Sequence, residues 1–139
     1  MGITALRSTP GNREPEIVWK SNQLQPGAAS PIAAGGKLYL INRSGVLIVA
    51  DCATGDVVSR TRLEGSFWST PLVCGNHLLA FNHEDGAGQV VQLGPDASST
   101  RVVSKIVLGE RVQASPAVAD KALYIRSDRH LWKLAAPAR

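Results

Sequence analysis

The chain has 139 residues, 44% hydrophobic and 5% aromatic, which allows a single domain with an aliphatic core. Its net charge of +4 comes from Lys and Arg scattered among acidic residues, a pattern that excludes a dense nucleic-acid-binding stripe. Two cysteines, Cys52 and Cys74, do not make a disulfide framework, and no apolar run is long enough to cross a bilayer.

Residues 1–15 are polar and contain Pro10, Gly11 and Pro15, so they are expected as a flexible, poorly ordered lead-in without the apolar core of a signal peptide. From Ile17 the pattern changes to short apolar runs bounded by turn residues. Ile17–Leu24 is a strand candidate ended by Pro26-Gly27. Four more runs follow between Ser30 and Leu63, separated by Gly35-Gly36, Asn42-Arg43-Ser44-Gly45 and Asp51-Cys52-Ala53-Thr54-Gly55. Each is too short for a helix and rich in Val, Ile, Leu and Tyr, so the stretch reads as four hairpin-joined strands, A to D.

The unit repeats. Pro31, Pro71 and Pro116 lie 40 and 45 residues apart, each preceded by Ser or Thr, and each is followed seven residues later by a leucine, Leu38, Leu78 or Leu123. The fourth runs, Val57–Leu63 and Val102–Leu108, also match. The period suits a propeller blade. The reading is an all-β chain, a partial β-propeller of about three four-stranded antiparallel up-and-down blades in the order D-ABCD-ABCD-ABC. It covers residues 16–134, with blade boundaries near 30, 70 and 115 and a C-terminal tail at 135–139. A β-sandwich with regular hairpins is the alternative that gives similar spacing without equivalent side chains. Closed propellers have about four to eight blades, so the expected partners are further blades, from a longer chain or from other copies.

Chemistry is sparse. His77 and His83 are expected near the two ends of one strand, about 20 Å apart at about 3.3 Å per residue, too far to share an ion with Cys74. No Ser-His-Asp context and no glycine-rich loop before a helix stand out, so the chain alone is expected to have no catalytic, cofactor-binding or metal residues. The D–A and B–C connections share one edge of every blade. That edge gathers Trp68, Arg111 and Gln113 from the former and Arg43, His83, Glu84, Asp128 and Arg129 from the latter. Such a rim is a candidate contact surface for a protein, peptide or polar ligand.

The turn Val49-Ala50-Asp51-Cys52-Ala53-Thr54-Gly55 resembles the tryptophan-docking repeat of pyrroloquinoline-quinone-type (PQQ-like) propellers, in which apolar-x-Asp-x-x-Thr-Gly precedes a Trp four residues on. Asp51, Thr54 and Gly55 match as a structural turn motif. Ser59 stands at the Trp position, and Trp19 reads as the surviving Trp of a preceding unit. The resemblance extends to outer-membrane-assembly propeller lipoproteins and non-catalytic quinoprotein repeats. It implies a scaffold or interaction role and a periplasmic or secreted location, though the chain itself carries no address. Dehydrogenases similar to this family hold the quinone under a disulfide of adjacent cysteines and bind calcium through Glu, Asn and Asp. A fragment of such an enzyme, with PQQ and calcium bound outside this chain, is the alternative. Cys52 and Cys74 are not adjacent, and no residues here take those roles.

Overall fold

A computed structural model describes residues 2–11 and 13–136, and every regular element in them is a strand. The strands are β1 (Ile3–Arg7), β2 (Glu16–Ser21), β3 (Ile32–Ala34), β4 (Lys37–Ile41), β5 (Val46–Asp51), β6 (Val57–Arg62), β7 (Leu72–Cys74), β8 (His77–Phe81), β9 (Gly88–Gln92), β10 (Arg101–Ile106), β11 (Ala117–Ala119), β12 (Ala122–Arg126) and β13 (Leu131–Ala135). They form four separate sheets in chain order: β1-β2, β3-β4-β5-β6, β7-β8-β9-β10 and β11-β12-β13. Every neighbouring pair is antiparallel. This is a partial β-propeller. Blades 1 and 2 are complete, and blade 3 has strands A to C.

One expectation is corrected. Residues 3–7, expected within a disordered lead-in, form β1 and pair with β2. The pairing Ala5↔Trp19 followed by Leu6↔Ile17 skips Val18, just as Val49↔Ser59 followed by Ala50↔Val57 skips Val58 in blade 1. β1 is therefore a C strand, and the order reads CD-ABCD-ABCD-ABC. Blade 2 carries the same bulge at Val103. A bulge twists the outer strand and spoils it as a template for further pairing. Ala135 of the expected tail closes β13, and residues 137–139 lie outside the described residues. His77 opens β8, which stops at Phe81, two residues before His83.

The core lies between blades. Alternate residues of a strand face opposite sides of its sheet, and both sides of blade 1 are covered. Its Tyr39, Ile41, Leu47 and Val49 pack on Leu78, Ala80 and Val91 of blade 2. Leu40, Ile48 and Ala50 face the other way, onto Leu24 and Trp19. This explains why β5 reads as the unbroken run Val-Leu-Ile-Val-Ala. A third cluster joins Phe81 to Val112 and Ile125, with Leu123, Trp132 and Leu134 around it. Trp132 is thus partly buried, inside the stack.

The half-blade is fastened to blade 1 by Trp19. Its indole Nε1 donates to the Cys52 carbonyl at 2.9 Å, and a Cβ on Gly55 would lie 2.6 Å from the Trp19 ring. Gly55 has φ +76°, and Asp51 Oδ1 accepts from Ala53 N at 2.8 Å, which forms the turn that receives the indole. Trp19→Ala is expected to destabilise by about 3–5 kcal/mol, the usual range for an indole removed from a packed site. Gly55→Ala, which is strained in φ and collides with the ring, is expected to cost about 1–3 kcal/mol. Urea unfolding followed by circular dichroism should show the double variant costing less than the sum, because both changes break one contact.

Candidate functional site

The D–A and B–C loops run side by side along one rim. Gly27 N donates to the Ile41 carbonyl at 2.8 Å, His83 N to Ser66 at 2.7 Å, and Asp128 N to Arg111 at 3.1 Å. Each B–C loop opens on a short polar residue that accepts from its own turn. Asn42 Oδ1 takes Ser44 N and Val46 N, Asn82 Oδ1 takes Glu84 N, and Ser127 Oγ takes His130 N. Buried Gln89 clamps the first D–A loop of the pair around it, accepting from Glu64 N at 2.9 Å and donating to Glu64 O at 2.7 Å. The rim backbone is therefore fixed by hydrogen bonds that do not involve the exposed side chains.

The repeat gives these side chains equivalent places. Arg43, His83 and Asp128 share one position of the B–C loops, and Ala28, Trp68 and Gln113 share one of the D–A loops. Only the second pairing is aromatic. Trp68 is 53% exposed and stacks on His83, with ring centroids 4.4 Å apart and planes 11° from parallel. Trp68 does not pack between blades. It walls a cleft of about 290 Å³ with Phe67, Ser66, Asn42, Arg43, Ala28 and Gly27. The first rim cleft thus offers an indole, a guanidinium and exposed backbone.

A second cleft of about 400 Å³ brings together Glu84, Arg111, Asp128 and Arg129 of the predicted rim, with Asp85, Gly109 and Glu110. Gln113 and Asp128 meet in a smaller one beside it. Glu110 has a side chain only 7% exposed. Its Oε2 accepts from Ser127 Oγ at 2.6 Å and Arg129 N at 3.2 Å, and His130 Nδ1 lies 2.6 Å from Oε1. Trp132 Nε1 donates to the same Ser127 Oγ at 2.9 Å. The hydrogen bond from Ser127, together with those from His130 and Arg129, holds the Glu110 carboxyl down at about 2. Ser127, His130 and Glu110 do not make a hydrolytic triad. The serine proton points to the carboxylate, not to the imidazole, and Ser127 is buried. The cluster latches the last D–A loop to the last B–C loop. The sequence reading missed it, yet a signal exists: at the same two positions blade 2 has Gly65 and Asn82, and a Cβ on Gly65 would collide with the Asn82 amide. Blade 2 thus sets Gly65 beside the larger Asn82, and blade 3 sets Glu110 beside the small Ser127.

Cys52 is half-buried and Cys74 exposed, and both are free thiols. Among the described residues no three His, Cys, Asp or Glu side chains group to hold a metal ion. The residues therefore do not fit the quinone–calcium arrangement that adjacent cysteines and clustered oxygen ligands would provide.

A family profile described as outer membrane protein assembly factor BamB matches residues 11–95. Among solved structures, BamB from Moraxella catarrhalis superposes with a TM-score of 0.62 at 22% identity, covering 80% of this chain and 34% of that one. A europium-containing methanol dehydrogenase superposes with a TM-score of 0.55 at 20% identity, covering 75% and 21%. These likenesses are of fold, and the chain spans well under half of either neighbour. A comparison with curated proteins gave no match.

The depressed Glu110 carboxyl sets a pH dependence. Its contribution to stability is fully present above about 4.5, the ordinary carboxylate value, and is lost as pH falls towards about 2. Urea midpoints of the native chain and Glu110→Gln are expected to differ most above pH 5 and to converge between pH 4.5 and 2.

Proposed function

The chain belongs to the PQQ-like repeat family described as outer membrane protein assembly factor BamB, and from that premise we propose that it is a non-catalytic propeller scaffold that presents its rim to a protein or peptide. The observation that carries this reading is the Trp68–His83 stack beside Arg43. Trp and Arg dominate binding hot spots, because a large rigid surface gains much on burial and loses little rotamer freedom. Stacking on His83 holds the indole in place before a partner arrives. The absence of bulky groups at Gly27 and Ala28 leaves the opposite wall open to backbone contact.

The family description supports a place in the bacterial cell envelope, on the periplasmic or secreted side. That the chain spans only 34% of the BamB structure it resembles supports assembly with further blades, supplied by a longer chain or by other copies. A fragment of a quinone-dependent dehydrogenase is the competing reading, and its catalytic residues would lie in blades other than these.

Peptides selected by display on the purified chain test the rim. Trp68→Ala is expected to leave stability within about 0.5 kcal/mol, because the indole is half in solvent. It is expected to weaken selected peptides about tenfold or more by fluorescence polarisation. Selection that returns only peptides indifferent to Trp68 and Arg43 overturns the reading, and so does dye-linked alcohol oxidation by the chain with quinone and calcium.

A further inference from the structure

The first rim cleft lies between two loop pairs that are built alike but filled differently. In the second pair, Trp68 of the D–A loop stacks on His83 of the B–C loop. In the first pair the same two places hold Ala28 and Arg43. Ala28 has no surface to lay on the guanidinium, and among the described residues Arg43 takes part in no ion pair. Arg43, Ala28 and Trp68 all line the cleft, whereas His83 does not. The cleft therefore meets the part of the indole that the stack leaves open. No carboxylate lines it. The second cleft differs: Glu84, Asp85, Glu110 and Asp128 surround Arg111 and Arg129, and Arg129 Nε lies 3.4 Å from Glu110 Oε1. An unneutralised cation beside an open aromatic surface is thus a property of the first cleft and not of the second.

Such a pair of groups selects its ligand. An indole gains most by lying against another ring. A guanidinium pairs best with a carboxylate, which it can hold through two parallel hydrogen bonds. The frame is set before anything binds, since Gly27 N donates to the Ile41 carbonyl and His83 N to the Ser66 carbonyl. In an extended segment, residues two apart point to the same side and lie about 6–7 Å from each other, whereas neighbours point to opposite sides. A ring and a carboxylate of one extended segment enter the same cleft only when they stand two positions apart.

We propose that the first cleft takes an extended peptide segment with an aromatic residue and an Asp or Glu two positions apart, the ring against Trp68 and the carboxylate on Arg43. The inference rests on the rim reading above and adds the chemistry of the ligand. Both loop pairs that frame the cleft lie within residues 27–83. A single-stranded nucleic acid also offers a ring and an anion at every step. It is the poorer fit, because its repeating phosphates would run on to the carboxylates of the second cleft.

The test uses the full chain and short Ser/Thr peptides, of which the parent carries Phe and Glu two positions apart. Amide shifts at residues 42–43 and 66–68 report the site, and their titration gives the affinities. Replacing Phe by Leu is expected to weaken binding roughly two- to tenfold, the range of one aromatic pair. Replacing Glu by Gln is expected to weaken it roughly two- to fivefold, the range of one exposed ion pair, and added salt to shrink that difference. Moving Glu next to Phe is expected to cost as much as Gln. Trp68→Ala is expected to remove the preference for Phe and keep that for Glu, and Arg43→Gln to do the reverse. A parent peptide that binds no better than the Leu and Gln peptides, preferences that survive both variants, or shifts confined to the second cleft would overturn the proposal. So would tighter binding of a short oligothymidylate than of the parent peptide. Display-selected peptides that need Trp68 but carry neither an aromatic residue nor an acid would overturn it while leaving the rim reading in place.

Discussion

The face-to-face contact of blades 1 and 2 is the constraint from which the rest of the molecule follows. A four-stranded sheet of this size cannot shelter its own side chains. Leu47 and Val49 are buried only because Leu78, Ala80 and Val91 lie over them. At roughly 25 cal/mol per Å² of apolar surface, each such layer contributes several kcal/mol that no blade has alone. Burial fades along the stack accordingly. β5 is buried along most of its length, while in β13 only Trp132 and Leu134, which face blade 2, are even partly covered. Stability in such a chain is close to a sum over neighbours, so the middle is firm and the ends depend on what is laid against them.

Because strands and bulges carry the fold, the loop tips are free to differ. Ala28, Trp68 and Gln113 occupy one site of the repeat and have nothing in common chemically. The backbone bonds that align the loops pass through Gly27, Ser66 and Arg111 carbonyl or amide groups, so replacing these side chains does not disturb them. Function on a repeat scaffold appears where one copy departs from its equivalents without a packing reason. The Trp68–His83 stack is such a departure, and so is Arg43 beside Ala28.

What was legible in the sequence was the period and the turn chemistry. Leucines at 38, 78 and 123, prolines 40 and 45 residues apart, and Asp51-x-x-Thr54-Gly55 fixed the strands and their order from Ile17 onward. β1 escaped because five residues with Thr4 and Arg7 among them, followed by Pro10 and Gly11, have too little alternation to read as a strand. Its one partner is Trp19's strand, and the evidence for it is the shared bulge register, which only coordinates reveal. The rim was readable as an edge, since every meander returns its D–A and B–C loops to one side. Whether Trp68 turned inward or outward was not readable, because irregular loops have no period to fix side-chain direction. Glu110 was hidden for the same reason. Its carboxylate makes sense only beside Ser127, 17 residues away, and the exchange with Gly65 and Asn82 becomes visible once the repeats are aligned.

The second C–D turn shows how a repeat survives the loss of its anchor. Trp19 docks on the turn after β5, but the equivalent residue of blade 1 is Ser59, too short to reach the turn after β9. That turn is longer, and it closes on itself. Asp96 Oδ1 accepts from Ser98 Oγ at 2.8 Å and Ser99 N at 2.9 Å, Thr100 Oγ1 donates to the Asp96 carbonyl at 2.9 Å, and the same hydroxyl accepts from Gly94 N at 3.1 Å. The hydroxyls of Ser99 and Ser98 are also what pull the Asp96 carboxyl down to about 2. An indole fastens one blade to the next across more than thirty residues, whereas this network spans six and fastens nothing beyond its own loop. The junction between blades 1 and 2 therefore relies on its aliphatic cluster alone, whereas the junction before blade 1 adds the docked tryptophan to the smaller buried set Leu24, Leu40, Ile48 and Ala50.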